Sequence, residues 1–345
     1  MPVLYVTVPG ATVRQSGESL LVTAEEYPSD GGGTGRRKIL MEVESHRLEL
    51  VCIVGRAHIT SAAMRHCLER GISTAWLTRG GEFLGRTVGA MPRSADIRLR
   101  QYAAASEAET RLARAADAVR AKLLNAHAVL RDIQSNSPGN EVLGRALAEL
   151  KRMAEAVHSC REIASLLGVE GSGARCYFEA LGGAFRAEIP FHGRKHRPAS
   201  DPANALLSFG YVILASKLAG LLEGRGLDPC IGFLHDLRSG RASLALDLLE
   251  ELRHPIVDRF VLRSCNLRII RPEHFEPPDE DGGVRLTQEG LRIFFAQWEE
   301  HLGKPLREQG NAERPTPRDI LGRQVERFAA SLRNGSPYQP FLYGG

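Results

Sequence analysis

The sequence has no pair of cysteines in Cys-x-x-Cys spacing, although six cysteines occur among its 345 residues. Such spacing is typical of structural zinc sites, so its absence argues against one. Several cysteines lie in apolar runs, as Cys52 does within Leu50-Val-Cys52-Ile-Val. The first residues also lack the basic region and long apolar core of a signal peptide. We therefore expect buried free thiols in a reducing cytoplasm.

Several functional signatures are missing as well. The sequence has no strand–Gly-x-Gly-x-x-Gly–helix unit, no Gly-x-Ser-x-Gly elbow and no Gly-Lys-Ser phosphate loop. This excludes the usual dinucleotide-binding, α/β-hydrolase and P-loop classes. We find no apolar run of about 18 residues, so no membrane partner is expected. The formal charge of +4 permits binding of nucleic acid without requiring it, because local clustering of basic side chains decides that property.

The pattern of residues changes near position 92. Up to that point the chain consists of short β-branched runs and turns, with one helix predicted at 61–70. Beyond it the sequence is rich in Ala, Leu, Arg and Glu with helical periodicity. We predict an α+β fold with a small N-terminal β-rich dimerisation domain, residues 1–92. A larger all-helical C-terminal catalytic domain, residues 93–345, follows and contains a flexible polar segment at 303–317.

The periodicity predicts eight helices in the second domain, at 96–134, 141–167, 171–186, 203–223, 240–252, 255–264, 286–301 and 315–332.

A histidine and two carboxylates form the most informative cluster. Asp247 and Glu250 are three residues apart in an apolar helical pattern, so both carboxylates leave one side of the helix. His235 lies upstream, and Arg238 and Arg241 follow it. Two carboxylates and an imidazole can hold a hard divalent cation, and the arginines favour an anionic substrate such as phosphate. The spacing is equally compatible with solvated charges on an amphipathic helix.

Glu170 is a separate acidic candidate. It lies in Gly168-Val-Glu170-Gly, where the sequence predicts the end of one helix near Gly168 and the start of another around Gly171. A carboxylate at that point interacts favourably with a helix N-terminus, and this is the simplest interpretation of the residue alone.

A basic loop precedes an apolar helix. Arg194, Lys195 and Arg197 are interrupted by proline and glycine, so they form a loop that either contacts phosphates or is merely solvated. Asn204 and Tyr211 follow, two helical turns apart, and share one face of the next helix. Their spacing does not decide whether that face is core or site.

Read in order, these motifs resemble the CRISPR-associated protein one family, the integrase-like endonucleases of CRISPR spacer acquisition. The resemblance extends from the strand at Leu4 to the region of Phe294, and the ending Tyr338-Gln-Pro-Phe-Leu-Tyr343 is similar to the type I-C variant. The motifs that carry it are Gly168-Val-Glu170-Gly, Arg197-Pro-x-x-Asp201-Pro-x-Asn204-Ala-Leu-Leu-Ser-Phe-Gly-Tyr211, Gly226-Leu-Asp-Pro229-x-Ile-Gly-Phe-Leu-His235 and Ser243-Leu-Ala-Leu-Asp247-Leu-Leu-Glu250.

The resemblance implies a metal-dependent reaction on DNA. Glu170, His235 and Glu250 would hold Mn²⁺ or Mg²⁺, and Asp247 would support them as a further catalytic carboxylate. The chemistry would be phosphodiester cleavage and attack by a 3′-hydroxyl, which inserts spacers into a CRISPR array. The remaining implied residues are the DNA contacts Arg194, Lys195, Arg197, Arg238 and Arg241, with Asn204 and Tyr211 in support.

The resemblance also implies partners. These are double-stranded DNA, branched or with 3′ overhangs, a second copy of the chain bound through the β domain, and CRISPR-associated protein two. Two other functions stay open on the sequence. One is a non-catalytic nucleic-acid-binding scaffold, in which the three side chains form a buried polar network. The other is a metal-dependent DNA nuclease outside any CRISPR system.

Overall fold

The chain folds into two compact units. We describe a computed structural model of residues 3–26, 36–87, 89, 95–136, 138–186, 188–189, 191, 193–195, 198–238 and 240–345. The first unit comprises Met1–Met91 and Arg285–Glu299, and the second comprises Pro92–Val284 and Glu300–Gly345. Strands dominate the N-terminal region and helices dominate the rest, which confirms the predicted fold class.

Two four-stranded sheets build the first unit. One has the order β1-β5-β7-β8, in which only the β7–β8 pair is antiparallel. The other has the order β4-β3-β2-β6. The strands are β1 Val3–Val6, β2 Thr12–Ser16, β3 Ser19–Glu26, β4 Arg36–Glu44, β5 Leu50–Val54, β6 His58–Ile59, β7 Ser73–Leu77 and β8 Phe83–Thr87. The short β-branched runs of the sequence predicted strands in this region, although not β2 and β6.

The one helix predicted in the β-rich region forms as expected. Helix α1 covers Ser61–Glu69, and the Thr60 side chain accepts a hydrogen bond from the backbone N–H of Ala63. This is the N-cap geometry that threonine favours. Ala63 and Cys67 lie one turn apart on α1 and are buried in the core of the unit.

A late segment of the chain completes the first unit. Phe295 stacks on Tyr5 with a centroid separation of 3.8 Å, and the Tyr5 hydroxyl donates to Glu299 at 3.0 Å. Gln288 donates to the Thr7 hydroxyl at 2.9 Å. A division of the sequence at residue 92 alone therefore misses Arg285–Glu299, because long-range packing decides where that segment belongs.

Helices build nearly all of the second unit. They are α2 Ala95–Ser106, α3 Ala108–Ser135, α4 Glu141–Ala156, α5 Ile163–Gly182, α6 Pro202–Gly224, α7 Ser243–Leu252, α8 Arg259–Asn266, α9 Gln288–Leu302, which runs from the first unit into the second, and α10 Pro317–Asn334. A π-helical turn, Arg253–Asp258, joins α7 to α8.

Helix α5 is continuous where the sequence predicts a break. It runs through Gly168, Glu170 and Gly171, so Glu170 lies inside a helix and not at its N-terminus. Packing explains the glycine at position 173, because a Cβ there would collide with the Leu123 side chain of α3. The close approach of α5 to α3 overrides the weak helix propensity of glycine.

Helix α6 corrects the statement that no long apolar run exists. Its 23 residues are long and apolar enough to cross a membrane by composition. Its buried residues include Leu206, Leu207, Leu214, Leu218 and Leu222, so in the fold it is a core helix. An apolar helix of this kind is expected at the centre of a large helical domain.

Residues 303–317, for which the sequence predicts flexibility, form hydrogen bonds within the segment and with later parts of the chain. The Leu306 backbone N–H donates to the Pro315 carbonyl at 2.8 Å, and Glu308 forms an isolated antiparallel bridge with Tyr343. The Glu308 carboxylate also accepts from Arg327 at 2.6 Å. Polar groups of this segment therefore take part in specific hydrogen bonds.

All six cysteines are free thiols, as predicted. Cys52, Cys67 and Cys265 are buried, whereas Cys230 is exposed and the other two are half-buried. Burial raises the pKa of the Cys52 thiol to about 12, so this thiol stays protonated and packs as a small apolar group.

Candidate active site

Asp247 organises the loop that carries His235. The Asp247 carboxylate, at the buried face of α7, accepts backbone N–H bonds from Phe233 at 2.6 Å, Leu234 at 3.1 Å and His235 at 3.0 Å. It also lies 2.7 Å from the His235 Nδ1 atom. Because a carboxylate only accepts, Nδ1 carries the proton and the Nε2 lone pair is left available. The sequence analysis grouped Asp247 with His235 because they lie close together in the chain. The structure shows that they are bonded directly.

Gly232 makes this arrangement possible. A Cβ at this position would lie 2.7 Å from the Asp247 Oδ2 atom and 2.8 Å from the Ser243 backbone. Only a residue without a side chain therefore lets the loop pass close enough for three successive N–H groups to reach one carboxylate.

A buried lysine joins the other two acidic candidates. Lys122, on α3, pairs with Glu170 of α5 through a short contact and with Glu250 of α7 at 2.5 Å. The Lys122 side chain is only 2% exposed. His235 Nε2 lies 4.0 Å from Glu250 Oε1. Glu170, His235 and Glu250 thus come from two helices and a loop and meet around Glu250, which neighbours His235 and shares Lys122 with Glu170.

Arg253 provides a second positive charge. One guanidinium nitrogen donates to both Glu250 oxygens at 3.1 Å, and the guanidinium lies 4.2 Å from the centre of the Tyr211 ring. Burial raises the pKa of Glu250, but Arg253 and then Lys122 outweigh it and hold that pKa well below its usual range. Glu250 is therefore ionised at any physiological pH.

Tyr211 belongs to a buried network behind this cluster. Its hydroxyl donates to Asp258 through a short hydrogen bond, and the His254 Nδ1 atom lies 2.6 Å from the other oxygen of Asp258. Burial raises the pKa of Tyr211, and burial lowers the pKa of His254. Tyr211 therefore remains a neutral donor to Asp258, and its ring lies against the Arg253 guanidinium.

The donor set fits a divalent cation. Two carboxylates and an imidazole nitrogen are ligands that Mn²⁺ and Mg²⁺ accept, and Asp247 bonds the far side of the imidazole as outer partners of metal-bound histidines do. Among the described residues, however, no group of three or more His, Cys, Asp or Glu side chains is placed to hold a metal ion. The Lys122 ammonium lies between the two carboxylates instead.

The basic loop is anchored to α6 by Asn204. The Asn204 side-chain oxygen accepts from Arg194 at 2.7 Å and from the Lys195 backbone at 2.9 Å, and its nitrogen donates to the Gly193 carbonyl at 2.9 Å. Arg194 also donates to Ser208 at 3.0 Å, whereas Lys195 is exposed. Asn204 therefore shapes the loop from inside the fold. Arg197 lies outside the described residues.

Arg238 and Arg241 follow His235 on the same connection to α7. Arg238 is exposed and Arg241 is half-buried. Their backbones are joined by a hydrogen bond of 3.0 Å from the Arg241 N–H to the Arg238 carbonyl. The turn presents positive charge three and six residues beyond the histidine, which is compatible with contact to a phosphate backbone.

A cavity of about 540 Å³ opens beside Glu170. Its walls are both cationic and aromatic, a combination suited to phosphate and nucleobase. The cationic and aromatic residues of the lining are Lys122, Arg175, Phe178, Phe191, Arg194 and Arg253.

The residue after Glu250 anchors a distant part of the chain. The buried Glu251 carboxylate accepts from the Tyr338 hydroxyl at 2.5 Å and from the Phe341 backbone at 2.6 Å. Asn125 of α3 donates to the carbonyls of Glu251 and Phe341 at 2.6 and 2.8 Å. Burial raises the pKa of Glu251 to about 7 in spite of these donors. The segment around residues 338–343 is thereby fastened to α7 and α3.

The sequence matches a known family model over residues 4–300, described as CRISPR associated protein Cas1. The chain belongs to the Cas1 family. The match covers both units and all four motif regions, so the resemblance drawn from the motifs is confirmed at the level of the family.

Curated Cas1 relatives match over nearly their whole length. A protein of Rhodospirillum rubrum named CRISPR-associated endonuclease Cas1 2 is 36% identical, with 99% of this chain and 98% of the relative covered. A protein of Thermus thermophilus named CRISPR-associated endonuclease Cas1 3 is 33% identical, with 92% and 94% covered.

Solved structures show the same fold at lower identity. A Cas1 protein from Thermotoga maritima is 21% identical with a TM-score of 0.79, and 100% of this chain and 99% of that chain are covered. A casposase bound to integration product is 22% identical with a TM-score of 0.82, at 99% and 93% coverage. A Cas6-RT-Cas1–Cas2 complex is 24% identical with a TM-score of 0.78, at 97% and 35% coverage.

The sequence analysis did not identify two residues that contact the acidic cluster, Lys122 and Arg253. Arg253 is three residues after Glu250, so the helical spacing that pairs them was visible in the sequence. Lys122 gave a weaker signal: a lone lysine in the run Ala121-Lys122-Leu123-Leu124, whose neighbours are apolar. A buried lysine needs an acidic partner, but the sequence could not identify which carboxylates would reach it.

Proposed function

We propose that this Cas1 family protein is a metal-dependent DNA endonuclease and integrase. It would insert foreign DNA fragments, or spacers, into a CRISPR array through attack of a 3′-hydroxyl on a phosphodiester. One observation carries the proposal: Glu250 lies 4.0 Å from His235 and shares the buried Lys122 with Glu170, so the three side chains meet at one place. The names of its curated relatives, CRISPR-associated endonucleases, support the same conclusion.

Glu170, His235 and Glu250 would hold the Mn²⁺ or Mg²⁺ ion. When bound, the ion supplies Lewis-acid polarisation of a phosphoryl oxygen and lowers the pKa of an attacking hydroxyl or water. Asp247 keeps the His235 Nδ1 proton in place, so Nε2 remains a ligand atom. Arg253 holds the Glu250 carboxylate by both oxygens and fixes its direction. These contacts prepare the site before DNA arrives.

Basic side chains around the site would position the DNA backbone. Arg194 is oriented by Asn204 and Ser208, and it lines the cavity together with Arg175. Lys195 and Arg238 are exposed and add charge that phosphates can approach. Such contacts give an affinity that falls steeply as the salt concentration rises. A protein with this function would work in the cytoplasm, where it meets its DNA substrate.

We infer Cas2 and branched or 3′-overhanging duplex DNA as partners. The inference is supported by structural neighbours of this chain that were solved as a Cas6-RT-Cas1–Cas2 complex and as a casposase with its integration product.

Strand β4 is the surface that we propose for pairing with a second copy. It is an edge strand of nine residues, and nearly every residue along it is exposed. The exposed residues include Ile39, Leu40 and Met41, which are unusual on a free edge. Replacing Ile39 and Met41 together by glutamate is expected to convert a dimer to a monomer in sedimentation velocity. Leu99→Glu, an equally exposed position on α2, is the control, and a double variant that still sediments as a dimer contradicts the surface.

The function is tested by strand transfer into a supercoiled repeat-containing plasmid, with Cas2 and a spacer-like duplex, in Mn²⁺, Mg²⁺ or EDTA. We expect joined products only with metal, and none with His235→Ala. His158→Ala, an exposed histidine, is the matched control.

Other results would favour the competing functions. DNA binding without metal-dependent chemistry, unchanged by His235→Ala, would indicate a scaffold. Metal-dependent hydrolysis without joining would indicate a nuclease that is not an integrase.

A further inference from the structure

We propose that Lys122 is an internal counter-cation, which occupies the place of the metal in the metal-free protein and is displaced from Glu170 and Glu250 when the metal binds. The proposal rests on the metal-dependent function proposed above and concerns how the site is loaded. Its basis is the position of the Lys122 ammonium, between two carboxylates that belong to the expected ligand set.

The charges of the buried cluster balance as it stands. Glu170 and Glu250 carry two negative charges, and Lys122 and Arg253 carry two positive charges. Without Lys122, the two carboxylates would share one cation at a site where Glu250 is buried and Glu170 is only partly exposed, and uncompensated charge is unfavourable there. Lys122 therefore holds α5 and α7 at the site together while the metal is absent.

A divalent cation cannot simply be added to this arrangement. A dication bound by Glu170 and Glu250 would lie against the Lys122 ammonium, and like charges in a poorly solvated site repel strongly. Metal binding must therefore break both Lys122 contacts. The exchange makes the metal-free protein stable at the expense of metal affinity.

The structure provides space for the released side chain. Lys122 is one of the residues lining the cavity of about 540 Å³, together with Arg175 and Arg194. The cavity lining carries the Glu170 and Glu179 carboxylates as well as the two arginines, so the displaced ammonium would meet charges of both signs there. A DNA phosphate in the cavity would stabilise the displaced position. Metal loading and DNA binding would then favour each other, as linkage requires when both select the same state.

The first test measures Mn²⁺ binding to the full-length, DNA-free protein by calorimetric titration. Lys122→Met keeps the length of the side chain and removes its charge, so metal no longer competes with it. We expect the Kd for Mn²⁺ to fall at least about tenfold, which corresponds to about 1.4 kcal/mol. Lys151→Met, an exposed lysine on α4, should leave the Kd unchanged.

Thermal unfolding supplies a second readout that does not depend on activity. Without metal, Lys122→Met should unfold at a lower temperature than the wild type, and Mn²⁺ should raise its Tm by more than it raises that of the wild type. Lys122→Met combined with Glu170→Gln restores the charge balance and should recover metal-free stability. Because the double variant lacks a proposed ligand, it tests the charge balance alone, and Lys122→Gln replaces Lys122→Met in the titration if that variant folds poorly.

Two results would overturn the proposal in distinguishable ways. An unchanged or higher Kd for Mn²⁺ in Lys122→Met would show that the ammonium does not compete with metal, and the exchange would fail while the proposed function stood. No Mn²⁺ binding to either protein would overturn the metal-dependent function and the exchange together.

Discussion

Replacing Glu250 by glutamine is expected to slow metal-dependent strand transfer by about a thousandfold or more. Glu250 is the carboxylate on which Lys122, Arg253 and His235 all converge, and its ionised form is strongly favoured. A neutral amide is a poor ligand for a hard cation, and loss of the metal removes several kcal/mol of transition-state stabilisation. Each 1.4 kcal/mol corresponds to about tenfold in rate.

The measurement is single-turnover strand transfer with saturating DNA, so that the chemical step is observed. Glu155→Gln, on the exposed side of α4, controls for a general effect of removing a carboxylate. We expect the variant to fold, because Lys122 retains Glu170 as a partner. Circular dichroism at the assay temperature checks this. A Glu250→Gln protein that joins DNA within tenfold of the wild-type rate would remove Glu250 from the site.

Replacing Asp247 by asparagine is expected to affect stability and activity together. Its carboxylate accepts three backbone N–H bonds and the His235 Nδ1–H bond, all in a buried setting. An asparagine keeps one acceptor oxygen and turns a donor N–H₂ toward groups that also donate. The loss is expected to reach about 2–4 kcal/mol of unfolding free energy, because charge-assisted bonds are lost and buried donors are left unpaired.

Thermal unfolding should register this loss as a fall in Tm of roughly 4–15 °C for a domain of this size. Strand transfer should fall as well, because the His235 ring loses the partner that fixes its tautomer. Asp236→Asn is the matched control: this neighbouring carboxylate is 66% exposed and forms only a surface pair of 3.5 Å with Arg111. Normal Tm and activity in Asp247→Asn would contradict the organising role given to that residue.

The part of the site that is close in sequence could be predicted from the sequence alone. Asp247 and Glu250 share a helix, and the histidine lies just before it, so helical spacing alone predicted that they could act together. Glu170 could not be joined to them in that way, because it comes from α5 and only the packing of helices brings it to Glu250 through Lys122. The family resemblance supplied that connection before the fold did.

Two of the predicted helix boundaries were wrong for physical reasons that residue preferences do not capture. Glycines at 168 and 171 indicated a helix boundary, yet α5 runs through both of them, and Gly173 lies at the close contact between α5 and α3. The single helix predicted at 96–134 is instead interrupted at Glu107, whose side chain caps α3 by accepting from Glu109 and Thr110. Both features depend on tertiary packing or cap geometry, which residue preferences describe only weakly.

The anchoring of Tyr338 and Phe341 on Glu251 sets an order of events during synthesis. Glu251 is made 87 residues before Tyr338 and 90 residues before Phe341. At about 5–20 residues per second, the ribosome needs roughly 5–20 s to supply those donors. Until then the Glu251 carboxylate has Gln324 as a donor but lacks Tyr338 and Phe341. The bonds that fasten the last segment of the chain to α7 are therefore among the last to form during synthesis.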